Sequence, residues 1–308
     1  MGDIGQFFGS TSKGSLTLAV ENPYYMAGDV IVGALCVVLA EPLQCTEIAI
    51  LIVGEENVEW RNLQQDTDHR AYYNEYNKFF QRRLVLDNST HELSPGQYTF
   101  PFQYPLPSNL PGSYDNGSHG ATATIAYSLQ GIVSTAGAFA RDLKHTYAVR
   151  VYRPFVGPIG PAMAETTKTV RTLGLFRKGT CHVRVVVHNN ASFLGDSVMI
   201  ETSVTNTSAS TPIKYVSCKL VRSVTLRACG REHVDCEVFS NTKMSGVNAS
   251  DQASFVQTIR LASSSLWPTT EGDHLSCRYF IELKCSLPWC PDAHLRIPLT
   301  LVAGPLTR

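Results

Sequence analysis

The sequence predicts an all-β protein built as two consecutive immunoglobulin-like β-sandwiches, residues 1–155 and 165–308, joined by a linker at 156–164. Three observations carry this. Apolar residues recur at every second position, as Val183, Val185 and Val187 do between His182, Arg184 and His188, which is the alternation of a strand with one buried face. No stretch sustains a 3.6-residue apolar period, and clusters of Gly, Pro, Asn and Ser separate the alternating runs. The chain has 308 residues, enough for two domains, and the run 154–161 near its middle holds three prolines and two glycines that no strand tolerates.

Taken in order, alternating or apolar runs place strands at 15–20, 30–39, 47–53, 123–132 and 146–152 in the first half. In the second half they fall at 182–188, 197–204, 214–226, 254–260, 279–284 and 295–302. The aromatic stretch 71–80, with Tyr72, Tyr73, Tyr76, Phe79 and Phe80 ahead of Arg82 and Arg83, reads as an edge strand packing its rings on a sandwich. Base stacking is the competing reading, and the commoner structural one is preferred. The two halves repeat each other. Met26-Ala27-Gly28-Asp29-Val30 opens a strand in the first, and Phe193-Leu194-Gly195-Asp196-Ser197 opens one in the second, at an offset of 167.

Composition excludes several classes. Twenty-six Lys+Arg balance twenty-six Asp+Glu, which argues against a general nucleic-acid coat. The longest apolar run, 30–40, is too short to span a bilayer. The start shows no secretory pattern, so the five Asn-x-Ser/Thr sequons (Asn88, Asn116, Asn190, Asn206, Asn248) read as turn chemistry. Gln6 stands where a myristoylation motif after Met1-Gly2 wants Ser or Thr. Nine cysteines, odd in number and lodged in apolar runs, fit free thiols in a reducing compartment.

Two chemical sites were weighed against simpler readings. His274, Cys277, Cys285, Cys290 and His294 lack CxxC spacing, and Cys277 and Cys285 stand eight residues apart on one strand; no metal or cofactor is expected. Cys229 and Cys236 flank a hairpin turn, but a disulfide needs an oxidising setting. Gly-x-Ser-x-Gly, His-Glu-x-x-His, phosphate-loop and dinucleotide motifs are all absent from the sequence, so no enzyme is expected.

Charge is unevenly spread. Residues 1–75 carry three Lys+Arg against eleven Asp+Glu. Residues 141–184 carry nine cations (Arg141, Lys144, Arg150, Arg153, Lys168, Arg171, Arg177, Lys178 and Arg184) against Asp142 and Glu165. A basic surface without catalytic partners favours phosphate, on lipid headgroups or on cargo. The first eight of those cations are the expected surface, and the acidic N-terminal stretch is their main internal competitor.

These residues also carry a family resemblance. The turn Tyr25-Met26-Ala27-Gly28-Asp29-Val30, the segment Leu93-Ser94-Pro95-Gly96-Gln97-Tyr98-Thr99-Phe100-Pro101-Phe102, then Leu106-Pro107, Leu110-Pro111-Gly112-Ser113-Tyr114, His119-Gly120 and Ile125-Ala126-Tyr127 resemble the arrestin superfamily, and most closely the α-arrestins. In the second half Phe193-Leu194-Gly195-Asp196, Val204-Thr205-Asn206 and Ile297-Pro298-Leu299-Thr300-Leu301-Val302 match likewise. The resemblance implies arrestin-type sandwiches without catalysis. It also implies a cytoplasmic adaptor, peripherally associated with the plasma membrane or endosomes, that binds cytoplasmic tails of membrane proteins for endocytosis, sorting or ubiquitination. A second implied reading is an arrestin-fold subunit of a retromer-like sorting complex. Ubiquitin ligase, endosomal sorting machinery and anionic lipid headgroups are the implied partners, and nucleic acid is not. Asp29 and Arg153 resemble interdomain charges. No Pro-Pro-x-Tyr motif occurs, so ligase recruitment by that route is not expected, and with the sequence ending at Arg308 a C-terminal latch is not expected either. Asn248 stands where the thioredoxin-binding branch has a reactive Cys.

Overall fold

The computed structural model describes residues 9–11, 14–62, 71–118, 120–137, 141–172, 176–262, 264–288 and 290–303. Met1, Gly2, His119 and Arg308 lie outside the described residues. Described residues form strands and turns and no helix. The chain divides into two compact units: residues up to Arg153 together with Leu226–Glu232 and Thr270–Leu275, and then Pro154–Thr225, His233–Thr269 and the residues from Ser276 on.

The strands of the first half are β1 (Gly9–Thr11), β2 (Gly14–Val20), β3 (Tyr24–Met26), β4 (Val30–Leu39), β5 (Leu43–Asn62), β6 (Ala71–Asp87), β7 (His91–Leu93), β8 (Gly96–Pro105), β9 (Tyr114–Ser118), β10 (Ala121–Thr135) and β11 (Leu143–Tyr152). They make one sheet in the order β1-β2-β4-β8 and a second in the order β3-β11-β10-β5-β6, with β7 on β5 and β9 on β10. Alternation sets which side chains face inward: Leu16 and Leu18 on β2, Leu35 and Val37 on β4, Ile48, Ile50 and Ile52 on β5, and Ile125, Tyr127 and Leu129 on β10 are all buried. The aromatic stretch is the edge strand β6, with Tyr73 stacked on Trp60 and Phe79 edge-on to Tyr127.

The second half supplies β12 (Ala162–Thr172), β13 (Phe176–Val187), β14 (Ala191–Phe193), β15 (Ser197–Asn206), β16 (Tyr215–Ala228), β17 (Arg231–Met244), β18 (Asp251–Arg260), β19 (Thr270–Glu271), β20 (Leu275–Ser286) and β21 (Ala293–Val302). Its sheets run β12-β13-β15-β18 and β14-β21-β20-β16-β17. Apart from β7, which has no counterpart, this repeats the first half, down to a parallel pair at the edge of each larger sheet, β3 on β11 and β14 on β21. The duplication reaches the turn chemistry. Asp29 N–H donates to the Met26 carbonyl at 2.9 Å and Asp196 N–H to the Phe193 carbonyl at 3.1 Å. Between them Gly28 and Gly195 have φ of 98° and 97°, as the third residue of a type II turn requires. Leu106 N–H then bonds the Asp29 carbonyl and Leu261 N–H the Asp196 carbonyl, both at 2.8 Å.

The first core contains one imidazole. His145 on β11 is buried, and its Nδ1 accepts the Leu18 N–H of β2 at 3.0 Å, joining the two sheets. That bond needs an unprotonated Nδ1. Burial also holds the ring below its usual 6.5.

Two outcomes follow from this geometry. No heavy atom lies within 4 Å of a Cβ added at Gly195, so Gly195→Ala is a test of backbone conformation alone. It is expected to cost about 1–2 kcal/mol in urea unfolding, and Gly195→Asn less, because Asn tolerates positive φ. His145 contributes stability that is present above its unfolded value of 6.5 and lost as pH falls below it, since there the unfolded chain binds the proton first. Urea midpoints measured between pH 7.5 and 5.5 should show a slope of up to about 1.4 kcal/mol per pH unit that His145→Asn flattens.

Candidate functional site

The first unit is organised around an inward-facing acid. From Ile52 onward the even positions of β5, Ile52, Gly54, Glu56, Val58 and Trp60, are all buried, so Glu56 falls on the core face of its own strand. The strand does not stop at 53 as the hydrophobic run predicts; it continues to Asn62, paired with β10 on one side and β6 on the other. Glu56 Oε1 accepts the N–H groups of His274 at 3.0 Å and Leu275 at 2.7 Å, and Oε2 accepts that of Asp273 at 3.0 Å. Three successive amides thus form a concave anion cradle. A Cβ at Gly272 would lie 2.3 Å from Glu56 Oε1, so the approach requires glycine. Burial pushes the Glu56 carboxyl above its ordinary value, and the three amides and His274 pull it back.

Further bonds within this unit fasten the same segment. Thr270 Oγ1 donates to the Gly112 carbonyl at 2.9 Å, and Asn77 Nδ2 to Asp273 Oδ2 at 2.7 Å. Arg227 N–H donates to the His274 carbonyl at 2.8 Å, and the Cys229 thiol lies 3.8 Å from the Asn74 carbonyl oxygen. Gly112 and its neighbour are themselves fixed: Ser113 N–H bonds the Val151 carbonyl at 2.6 Å, and its Oγ accepts the Val151 N–H at 2.9 Å.

The eight expected cations divide between the units. Arg141, Lys144, Arg150 and Arg153 belong to the first, where Lys144 and Arg150 lie on the exposed side of β11 and Lys144 pairs with Asp142 at 3.5 Å. Lys168, Arg171, Arg177 and Lys178 belong to the second and gather at the end of the β12–β13 hairpin. There Arg171 stands directly across from Arg177, and the register shift beside Val170 leaves Lys178 as the extra residue. Among the described residues none of these four makes an ion pair. Like charges directly opposed across strands are destabilising, so this hairpin end is built against its own stability. Phe176, paired with Thr172 at the same end, leaves 65% of its surface exposed. Acids of the N-terminal stretch are taken up locally instead: Glu47 pairs with Arg83, Glu55 with Lys78, and Tyr72 and Tyr76 donate to Glu59 and Glu55.

Asp29 Oδ2 accepts the Met26 N–H at 2.7 Å, closing its own turn, and Arg153 is exposed just past β11. Among the described residues no three His, Cys, Asp or Glu side chains converge as a metal site would require. The three thiols of the metal reading stand apart: Cys277 and Cys285 are buried eight residues from each other on β20, and Cys290 Sγ binds the backbone of Arg171. Cys229 and Cys236 are free, the first in the turn with φ of 52° and the second 3.8 Å from Ser223 Oγ. Sequence reasoning missed Glu56 and Phe176. The signal for Glu56 was its inward parity on β5, and for Phe176 its place beside two cations.

Removing the Glu56 carboxylate leaves three amides without their acceptor. Glu56→Ala is expected to cost about 2–4 kcal/mol by chemical denaturation. Glu56→Gln, which turns one N–H donor toward another, is expected to cost about half as much. Changes within about 0.5 kcal/mol for both would contradict the cradle's role.

The sequence has known counterparts. The family described as "Arrestin (or S-antigen), N-terminal domain" matches residues 15–153, and "Arrestin (or S-antigen), C-terminal domain" matches residues 177–306. Arrestin domain-containing protein A of Dictyostelium discoideum is 27% identical over 297 residues, covering 91% of this chain and 49% of that protein. The pH-response regulator protein palF/prr-3 of Neurospora crassa is 27% identical over 160 residues, covering 46% of this chain and 16% of that protein. The chain therefore spans about half the length of the first relative and less of the second. With matches to both domains over most of its length, on two sandwiches of one repeated topology, the chain belongs to the arrestin family.

Proposed function

We propose that the protein is a non-enzymatic adaptor of the arrestin type. It docks on cytoplasmic segments of membrane proteins and serves their endocytosis, sorting or ubiquitination. In this reading the end of the β12–β13 hairpin is the contact with an anionic membrane. The single observation that supports it most is the cross-strand pair Arg171 and Arg177, flanked by Lys168 and Lys178, with no acid to neutralise it among the described residues. Phosphates placed between the two guanidiniums relieve the repulsion, and bidentate geometry suits them. The exposed Phe176 ring adds an apolar body at the same end, suited to the headgroup boundary. Each Lys or Arg near an anionic surface contributes about 1 kcal/mol, so four give about 4 kcal/mol. That is about a thousandfold in affinity, enough to decide between bound and free. Arg141, Lys144, Arg150 and Arg153 form a second candidate surface on the first unit, for lipid phosphate or for cargo. Asp29 and Arg153 remain proposed as charges that bear on domain arrangement.

Co-sedimentation with vesicles tests this. The protein is expected to pellet with phosphatidylserine-containing vesicles and to be released as salt shortens the screening length. Arg171→Glu, Arg177→Glu and Lys178→Glu together should weaken binding at least about a hundredfold. Equal binding to neutral and anionic vesicles, or indifference to the triple change, would overturn the assignment. Stoichiometric partners co-purifying from a soluble extract would favour the alternative, a constitutive subunit of a retromer-like complex.

A further inference from the structure

The second unit leaves one long sheet edge open. β18 (Asp251–Arg260) ends the order β12-β13-β15-β18 and pairs only with β15 among the described residues. That pairing runs from Asp251 opposite Asn206 to Arg260 opposite Ser197 without a register shift. Between the two terminal charges, residues 252–259 hold no charge, proline or glycine. Proteins ordinarily blunt such edges, because unpaired N–H and C=O groups invite another strand. The other long outer strands here are blunted. β6 carries Lys78, Arg82 and Arg83 and two register shifts, and β8 carries Pro101 and Pro105. β12 carries Glu165, Lys168 and Arg171 with a register shift, and β17 carries Asp235, Glu237 and Lys243.

Backbone alternation fixes which groups this edge offers. Leu261, just past β18, turns both backbone groups toward the start of β15: its N–H donates to the Asp196 carbonyl at 2.8 Å, and its carbonyl accepts the Gly195 N–H at 2.6 Å. On β15 itself the Met199 carbonyl accepts the His188 N–H from the far side, so residues 198, 200, 202 and 204 face β18. Both observations assign Ala253, Phe255, Gln257 and Ile259 to the ladder with β15. Gln252, Ser254, Val256, Thr258 and Arg260 therefore direct their backbone groups away from the sheet, and all five are exposed. Val256, at the centre of that row, leaves 67% of its surface uncovered.

The geometry points to a second copy of this chain as the occupant. Two β18 strands pair antiparallel about a two-fold axis through Val256, joining the four-stranded sheets of two copies. An axis normal to the sheet keeps both outer faces on one side. Setting Val256 against Val256 of the second copy brings Ser254 opposite its Thr258 and Gln252 opposite its Arg260. In that register every outward N–H and C=O from Gln252 to Arg260 meets a partner. The side-chain pairs match in kind as well. Two exposed valines meet on the axis, hydroxyl meets hydroxyl, and the one cation of the row meets an amide oxygen rather than another cation. β18 is its own complement, which favours a second copy over an extended segment of another protein. Main-chain bonds with one small apolar contact make a reversible association, dependent on concentration.

Sedimentation velocity of the whole chain in reductant, from about 1 to about 200 μM, tests this. The mass should rise with concentration toward twice that of the monomer. Val256→Lys sets two cations face to face on the axis, and should weaken association at least about tenfold. Val256→Cys gives an independent reading. Opposed Cα atoms in such a pair stand about 5.5 Å apart, so mild oxidation should yield a covalent dimer. The unaltered chain, with its exposed Cys229 and Cys236, is the control and should yield far less. Gln252→Cys should not cross-link to its own copy, since the two positions would lie roughly 26 Å apart. If Val256→Lys does not fold, the two cysteine variants decide. A monomer at every concentration, or a dimer indifferent to Val256→Lys, would overturn the proposal. So would a Val256→Cys chain that cross-links no more than the unaltered one, or no faster than Gln252→Cys.

Discussion

A carboxylate withdrawn from water is the costliest group in the first unit, and its solution shapes what surrounds it. Glu56 sits between Gly54 and Val58 on the inner face of β5, and three consecutive backbone amides, those of Asp273, His274 and Leu275, supply its acceptor oxygens with donors. The demand propagates outward. Gly272 has no room for a side chain, Thr270 reaches the Gly112 carbonyl, and Ser113 holds both backbone groups of Val151. The segment that supplies these amides comes from far along the sequence and belongs to the first unit. An apolar residue at 56 would remove the desolvation cost, but the three amides would then lack an acceptor.

Legibility in the sequence follows burial. Central strands, covered on one face by the opposite sheet, show clean alternation, and β4, β10, β11, β13, β15, β20 and β21 can be read from it. Edge strands are less uniform: β6 and β18 still alternate and are legible, whereas the aromatic alternation of β8 is interrupted by Pro101 and Pro105, β12 is largely threonine and alanine, and β17 is exposed along most of its length. The repeated Gly-Asp turns were legible because φ near 98° leaves few residue choices. The Glu56 cradle was half legible: parity places the acid inside, but its donors are more than two hundred residues away.

In the second unit one corner combines two unlike features. The hairpin end holds four cations without acidic partners among the described residues, and an exposed ring projects beside them. Proteins seldom oppose arginines across strands without a third party, since the repulsion works against the ladder that aligns them. In the proposed reading the third party is phosphate at a membrane surface.

Amide hydrogen exchange, measured on the whole protein with and without anionic vesicles, tests the account most directly. It reports the cradle and the hairpin in one experiment. The account predicts that the amides of Asp273, His274 and Leu275 exchange as slowly as those of the central strands in both conditions. It predicts that vesicles add protection in β12 and β13, concentrated around Arg171, Arg177 and Lys178. Fast exchange at 273–275, or vesicle-induced protection that spares this hairpin and appears elsewhere, would contradict it.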